Sequence, residues 1–174
     1  MRVGSPLLVR AGTLTDAEAI GEVHAEAWRA GHRDVFESGW LDRLAQRRRT
    51  VWTEVLGDRR YRRNTMLVAE RGLRIAGFVY FGPHTDGPPD AEILDCYAHP
   101  SVWGQRVAAT LMDTATEQLA DGGYRRMRLW TMAGANRARH FYTAFGFQET
   151  GRRREHDFGD GRPVLEIEYA RRIR

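Results

Sequence analysis

The stretch AEILDCYAHPSVWGQRVAATLM, residues 91–112, decides the fold of this chain. Residues 91–98 read as a β-strand that stops at His99-Pro100, and a helix opens at about Gly104 after a polar loop. The helical period continues in an apolar stripe formed by Val107, Ala108, Leu111, Met112, Ala115 and Leu119. A strand that feeds a helix through a glycine-containing turn directs free backbone amides and the helix dipole at one point. The segment therefore predicts an anion site, of a kind that many α/β proteins contain.

The residues before this stretch predict two helices and three strands. Thr15 and Glu18 have the spacing of a capping box, and the helix that follows presents an apolar face through Trp28. The predicted elements are a strand at 7–10, this first helix, a second helix at 41–56, and strands at 65–69 and 75–81.

The residues after it predict a strand, a helix and a final pair of strands. The helix ends at Gly146, as helices often do at glycine. The predicted elements are a strand at 125–131, a helix at 136–145, and strands at 147–154 and 164–169. The order β-α-α-β-β-β-α-β-α-β-β indicates an α/β (α+β) fold with a mixed sheet flanked by helices. No repeat or linker interrupts it, so we expect a single domain over residues 1–174.

Composition favours an ordinary globular enzyme or binding domain. Hydrophobic residues make up 42% of the 174 residues and charged residues 29%. No apolar run is long enough to cross a bilayer, and Leu7–Val9 is too short for a signal-peptide core. We therefore expect a cytoplasmic protein that does not engage a membrane. The single cysteine, Cys96, cannot form an internal disulfide, and His24, His32 and His140 lack the spacing of a metal site.

The pattern from Ala91 to Phe147 resembles the GNAT superfamily of N-acetyltransferases. The matching residues are 91–100, 103–108 and 111–112, followed by Asn136, Ala138, Phe141, Tyr142, Gly146 and Phe147. The resemblance implies a mostly antiparallel central sheet in which the fourth and fifth strands, here 91–98 and 125–131, splay apart. It also implies acetyl-coenzyme A as the cosubstrate.

The resemblance further implies where acetyl-coenzyme A is held. Its pantetheine arm would pair with the strand backbone at Cys96, Tyr97 and Ala98, and its pyrophosphate would sit on the loop that opens the next helix. The remaining residues implied to bind it are Gly104, Gln105, Arg106, Val107, Ala108, Ala109, Asn136, Arg139 and Tyr142. Asn136 would also serve as an N-cap, whereas Arg139 could reach the 3′-phosphate or simply be solvated.

The pyrophosphate loop departs from the family pattern at two positions. Trp103 stands where the family has glutamine or arginine, and Arg106 stands where it has glycine. A left-handed backbone at position 106 would cost arginine roughly 1 kcal/mol more than glycine. A helical backbone would cost nothing and could place the guanidinium on a phosphate. The backbone amides remain in either case, so we expect cofactor binding to be retained.

Two side chains are candidates for catalysis. Glu92 matches the carboxylate that accepts the amine proton in histone-acetylating relatives, although it could also be a solvent-facing strand residue. Tyr142 matches the tyrosine that protonates the leaving thiolate, with a core position on the helix as the alternative. Cys96 is more consistent with a buried, inert thiol than with a nucleophile. Trp28 and Asp34 are weaker candidates for the acceptor site near the first two helices.

The acceptor stays open at this stage. We expect a small-molecule or peptide amine, with aminoacyl-tRNA or a non-catalytic acyl-CoA-binding module as alternatives, and a homodimer also stays open. All 27 basic residues are arginine, and clusters at 47–49, 59–63 and 152–154 keep a nucleic-acid partner under consideration. Solvated faces explain those clusters more simply.

Overall fold

The structure is a computed structural model that describes residues 5–174, so residues 1–4 of the predicted domain lie outside the described part. The strands are β1 (Leu7–Ala11), β2 (Thr65–Arg71), β3 (Arg74–Pro83), β4 (Asp90–Ala98), β5 (Arg126–Met132), β6 (Gln148–His156) and β7 (Val164–Arg172). The helices are α1 (Ala17–Gly31), α2 (Ser38–Gly57), α3 (Val107–Asp121) and α4 (Asn136–Ala144). The predicted order of elements is confirmed, with boundaries shifted by a few residues.

The strands form one sheet in the order β1-β2-β3-β4-β5-β7-β6. Neighbouring strands are antiparallel except for β4 and β5, which run parallel. The expectation of a mixed, mostly antiparallel sheet is therefore confirmed. Parallel neighbours need a crossover, and α3 supplies it between β4 and β5.

Helices cover both faces of the sheet. Most of the apolar stripe of α3, including Leu111 and Met112, is buried against β3 and β4. On the opposite face, α1 and α2 pack against each other and bury Ile20 and Trp52. Gly21 permits that contact, because a Cβ atom there would collide with the Arg49 carbonyl of α2. The two helical layers leave the splayed ends of β4 and β5 between them.

The start of α1 differs from the predicted Thr15–Glu18 capping box. A short 3₁₀ turn, Leu14–Asp16, precedes the helix, and the Asp16 carboxylate accepts the Thr13 N–H at 2.8 Å. Arg10 also donates to both oxygens of Asp16 at 2.9 Å, and this hydrogen bond holds the pKa of the carboxyl down to about 2. The prediction was wrong because a carboxylate that already pairs with Arg10 is a stronger acceptor than the Thr15 hydroxyl.

The splay of β4 and β5 begins after three paired positions. Asp90, Ala91 and Glu92 pair with Arg126, Met127 and Arg128, and no further pairs form between these strands. The buried Asp90 carboxylate fastens the closed end, accepting from Arg126 at 2.6 and 2.9 Å and lying 2.6 Å from Arg128. Beyond this clamp the backbones diverge, as the family resemblance implied.

Candidate active site

A large cavity occupies the gap between the diverging strands. It has a volume of about 1020 Å³ and continues from the start of α3 to the contact between α1 and α2. The residues from β4 that line it are 92–98, and α1, α2, α3, β5, α4, β6, β7 and the loops between them contribute the rest. One continuous cleft therefore joins the predicted anion site to the predicted acceptor side.

An irregularity in β4 determines which side chains face the acceptor side. Gly82 pairs with Glu92 and Phe81 with Ile93, but Tyr80 pairs with Asp95, so Leu94 is an extra residue. A bulge of this kind shifts the alternation of side chains by one. Glu92, Asp95 and Tyr97 consequently lie on the face covered by α1 and α2. The sequence analysis did not single out Asp95.

The anion site is a cradle of backbone amides at the start of α3. Gly104 has φ of 79° and Arg106 has φ of 61°, so two left-handed residues form the turn before Val107 opens the helix. The first-turn amides of a helix have no partner within the helix, and they are available to phosphate oxygens here. Gly77 lets α3 approach the sheet, because a Cβ atom there would lie 2.8 Å from both the Tyr97 oxygen and Val107 Cγ1.

Arg106 therefore has a left-handed backbone and not the helical one that was the other alternative. Arg106 lines the cleft together with Val107, Ala108 and Ala109. Gln105 does not line the cleft, since its side chain hydrogen-bonds to Arg71 and to the Ser101 carbonyl. The structure gives no support to the predicted role of Gln105 in holding the cosubstrate.

Trp103 contributes an aromatic wall to the cradle. Its Nε1 donates to the Ala98 carbonyl at 2.9 Å, and the Arg137 guanidinium lies 3.9 Å from the centre of its ring. Arg137, at the second position of α4, also lines the cleft. Trp103 replaces the family's glutamine or arginine, and its ring holds Arg137 of α4 beside the cradle. The sequence analysis missed Arg137 because the contact joins residues far apart in the chain.

The N-terminal end of α4 differs from the prediction. Ala135 is the N-cap, and Asn136 is the first helical residue, with its side chain in the cleft lining. Arg139 points away from the cleft, donating to the Tyr169 hydroxyl at 3.1 Å, the Ala133 carbonyl at 2.9 Å and Glu149 at 3.0 Å. Because the guanidinium is already engaged, the structure gives no support to a contact between Arg139 and the 3′-phosphate.

Tyr142 lines the cleft from the middle of α4. Its ring packs against Phe141, Phe147 and Tyr169, so only part of it meets solvent. Burial raises the pKa of its phenol well above 10. The group stays protonated at neutral pH and can act as a proton donor.

Cys96 faces the same part of the cleft and has a different character. Burial, with a smaller contribution from Asp95, raises the pKa of its thiol to about 12. A thiol in that state carries almost no thiolate at neutral pH and is a poor nucleophile. This agrees with the expectation of an inert cysteine.

Two carboxylates face the acceptor side of the cleft. Burial raises the pKa of Glu92, which lies where Trp130 and Arg154 also line the cavity. Asp95 is deeper, with 27% of its side chain exposed, and burial raises its pKa to about 7 although the Arg48 charge opposes the shift. Asp95 can therefore exchange a proton near neutral pH, and Glu92 is a stronger base than an ordinary surface carboxylate.

Of the two residues predicted for the acceptor site, Trp28 lies at the cleft and Asp34 does not. Trp28 is buried at the cleft and donates from Nε1 to the Tyr97 hydroxyl at 3.0 Å. Asp34 lies exposed in the turn between α1 and α2 and does not line the cleft. Sequence reasoning did not find Arg48, Trp130 and Phe158, which do line it.

The cleft suits an elongated ligand with an anionic end. The β4 edge that faces β5 is unpaired beyond Glu92, so an extended amide-containing arm can add along Cys96 to Ala98 in the manner of a strand. The amide cradle at 104–109 lies at the end of that path. These features fit the pantetheine and pyrophosphate parts of acetyl-coenzyme A.

A splayed parallel strand pair with an amide cradle defines an acyl-coenzyme A-binding transferase fold. The sequence model of the family "Acetyltransferase (GNAT) family" matches residues 23–147, more than half of the chain. The chain therefore belongs to the GNAT acetyltransferase family, which confirms the predicted resemblance and acetyl-coenzyme A as the cosubstrate.

Known proteins resemble the chain in sequence and in fold. A mycothiol acetyltransferase of Brachybacterium faecium is 35% identical over 136 residues, which cover 74% of this chain and 39% of that relative. The chain thus spans well under half the length of this curated relative. A GCN5-related N-acetyltransferase from Rhodopseudomonas palustris superposes with a TM-score of 0.76 at 17% identity, covering 99% of both chains. The PaiA N-acetyltransferase of Thermoplasma acidophilum, solved with coenzyme A, gives 0.73 at 18% identity, covering 94% of this chain and 98% of its own.

No helix within residues 5–174 has the length and apolar character required to span a membrane.

Proposed function

We propose that this chain is an N-acetyltransferase that moves the acetyl group of acetyl-coenzyme A onto an amine of a small molecule or peptide by direct attack. The observation that carries the proposal is that a proton acceptor and a proton donor, Glu92 and Tyr142, line one cleft beside the unpaired edge of β4. We further propose that residues 1–174 act as one domain in the cytoplasm.

The first task of the protein is to deprotonate the acceptor. An alkylamine has a pKa near 10.4 and is almost fully protonated at neutral pH, whereas only the neutral amine attacks a thioester. Glu92 lies on the acceptor face of β4 with a raised pKa, so it can take this proton directly or through a water molecule. Its partial burial strengthens its attraction for the ammonium form.

The second task is to stabilise the leaving group and the developing oxyanion. Bound acetyl-coenzyme A supplies the activated acyl carbon. The nitrogen–carbon bond forms as the carbon–sulfur bond breaks, and Tyr142 can hand its phenolic proton to the departing thiolate. Backbone N–H groups of β4 near Tyr97 face the gap and can donate to the oxyanion. This division of roles requires no covalent intermediate on Cys96.

The structure favours this function over the two alternatives. Many arginines of the basic clusters are engaged by carboxylates, as in Arg49 with Glu26, Arg152 with Glu168 and Arg154 with Glu166. Such pairing leaves less positive charge for an RNA backbone. The presence of both Glu92 and Tyr142 in the cleft speaks against a module that only binds acyl-coenzyme A.

The proposal is tested in two steps. Calorimetric titration should show acetyl-coenzyme A binding in the micromolar range, and a free-thiol assay with a panel of amines should then show turnover. Tyr142→Phe should lower kcat by roughly 10²-fold or more while acetyl-coenzyme A affinity stays within a factor of about two. Tyr124→Phe is the matched control, because Tyr124 packs against the core behind α3 and does not line the cleft. No binding at millimolar acetyl-coenzyme A, or full turnover by Tyr142→Phe, would contradict the proposal.

A further inference from the structure

The inner end of the cleft holds a cation that the fold does not neutralise. Arg48 of α2 lies with its guanidinium carbon 3.3 Å from the centre of the Trp28 ring, and its Nη1 donates to the Leu44 carbonyl at 3.2 Å. Within residues 5–174, no carboxylate oxygen comes within 4.0 Å of its guanidinium nitrogens. Burial lowers the pKa of Arg48, yet an arginine remains charged. The guanidinium therefore retains donors for an anion that enters the cleft.

A carboxylate, Asp95, faces the same space, and no arginine pairs with it directly. Asp95 takes part in no hydrogen bond or arginine pair among the described residues, and its nearest basic neighbour is His24. The Trp52 Nε1 donates to His24 Nδ1 at 3.0 Å, so the imidazole proton resides on Nε2. This Nε2 is fully buried, has no hydrogen-bond partner within residues 5–174, and lies 3.6 Å from Asp95 Oδ1.

His24 thus acts as a positioning residue for Asp95. Burial lowers the pKa of the His24 imidazole well below its usual value, so the ring stays neutral and does not cancel the negative charge of Asp95. Its Nε2 lies near Oδ1 of the carboxylate, so Oδ2 is left for a ligand. A buried donor held without a full partner has a free-energy cost, which a ligand that draws Asp95 into place can offset.

Aromatic rings enclose these two charges. Trp28 stacks on His32 with centroids 4.4 Å apart, and Phe158 meets Trp28 edge-on at 5.7 Å. The Trp28 indole also donates to Tyr97, which fixes it between Arg48 and β4. The low polarity of such walls strengthens charge–charge interactions with a bound ligand.

We propose that the acceptor is an α-amino acid, whose carboxylate binds Arg48 while its amino group binds Asp95. The inference rests on the proposed acetyl transfer and names the chemical class of its acceptor. A zwitterion of this kind presents a negative group to the unpaired cation and a positive group to the unpaired acid. Arg48 and Asp95 stay more than 4.0 Å apart, so a ligand can bridge them instead of competing with a direct ion pair.

The test compares amino acids with amines that lack only the carboxylate. L-phenylalanine is paired with 2-phenylethylamine, and L-leucine with 3-methylbutylamine, in the free-thiol assay at saturating acetyl-coenzyme A. We expect the wild-type kcat/KM to favour each amino acid by roughly 10- to 100-fold, the range for a hydrogen-bonded charge pair. Arg48→Met keeps an apolar side chain over the Trp28 ring but removes the guanidinium. It should raise KM for the two amino acids and so remove the preference, while KM for the two amines changes little.

Arg47→Met is the matched control, because Arg47 is the exposed neighbour on α2 and stacks on Trp40 outside the cleft. It should retain the preference for amino acids. Asp95→Asn should raise KM for both members of each pair, since both carry the amino group.

Measuring acetyl-coenzyme A binding distinguishes failure of the amino-acid inference from failure of the proposed function. Calorimetry of acetyl-coenzyme A should give the same affinity for wild type, Arg48→Met and Arg47→Met. If acetyl-coenzyme A binds but wild type prefers the amines, or Arg48→Met weakens both pair members equally, the amino-acid inference is overturned alone. If no panel member turns over, L-phenylalanine is titrated into the coenzyme A complex of wild type and of Arg48→Met. Absence of binding that depends on Arg48 overturns the amino-acid inference. Failure of acetyl-coenzyme A itself to bind would overturn the proposed function.

Discussion

Replacing Asp95 with asparagine should stabilise the protein while it damages the proposed acceptor site. The pKa of the Asp95 carboxyl is about 7 in the folded protein and about 3.9 in an unfolded chain. Between these values the folded state binds more protons than the unfolded state, so the free energy of unfolding falls as pH rises. Ionised Asp95 therefore destabilises the fold at pH 8, and neutral asparagine of the same shape does not.

The structure sets the size of this effect. The difference between about 7 and about 3.9 corresponds to about 4 kcal/mol, since one pKa unit is worth ~1.36 kcal/mol. Water reaches 27% of the side chain and relieves part of the burial penalty, so we expect about 2–4 kcal/mol. The groups that face Asp95 from the surrounding elements are Arg48, His24, Tyr80, Cys96, Tyr97 and Tyr142.

Urea unfolding at pH 8 and pH 4 measures the effect. Asp95→Asn should unfold at higher urea than wild type at pH 8, and the two proteins should converge at pH 4, where Asp95 is protonated. Asp113→Asn on the exposed face of α3 is the control and should match wild type at both pH values. A variant that is less stable than wild type at pH 8, or equally shifted at both pH values, would refute the reasoning about burial.

Three further predictions concern other parts of the cleft. Glu92→Gln should shift the acidic limb of the pH dependence of kcat/KM to higher pH, because the amine must then lose its proton without a protein base; an unshifted profile would point to another base. Arg106→Gly should be more stable than Arg106→Ala by roughly 1 kcal/mol in urea unfolding, because only glycine adopts φ of 61° without strain; equal stability would contradict the left-handed backbone. Asp90→Asn should lower the free energy of unfolding by about 2–3 kcal/mol, because it leaves Arg126 and Arg128 without their buried partner at the closed end of the splay; a loss below about 0.5 kcal/mol would show that this clamp is dispensable.

The sequence predicts the fold well because its local signals agree with the final packing. The apolar stripe from Val107 to Leu119 specifies α3, and the strand that ends at His99-Pro100 specifies β4. The positions that the strand alternation and the helical period assign to the interior are mostly the ones buried in the core of residues 5–174. The errors at α1 and α4 concern caps, where a single competing acceptor decides the outcome.

The acceptor side could not be predicted to the same depth, and the reason is the bulge at Leu94. Simple alternation from Glu92 places Leu94 and Cys96 on the same face and sends Asp95 to the other. The extra residue reverses this, so that Asp95 joins Glu92 and Tyr97. Neither Leu94 nor its neighbours carry a bulge signal such as glycine, so the irregularity follows from pairing with β3 and is invisible in the local sequence.

The distribution of charge pairing distinguishes a ligand site from a structural network. Asp90 is closely paired with two arginines at the closed end of the splay, and Glu168 likewise pairs with Arg128 and Arg152. At the inner end, Arg48 and Asp95 are both partly removed from water but remain more than 4.0 Å apart, with the Trp28–Tyr97 hydrogen bond nearby. A purely structural role would favour their direct contact, because each charge would then offset the desolvation of the other. Keeping the two charges apart lowers the stability of the free protein. A zwitterion between them would offset this loss, because its carboxylate pairs with Arg48 and its amino group with Asp95.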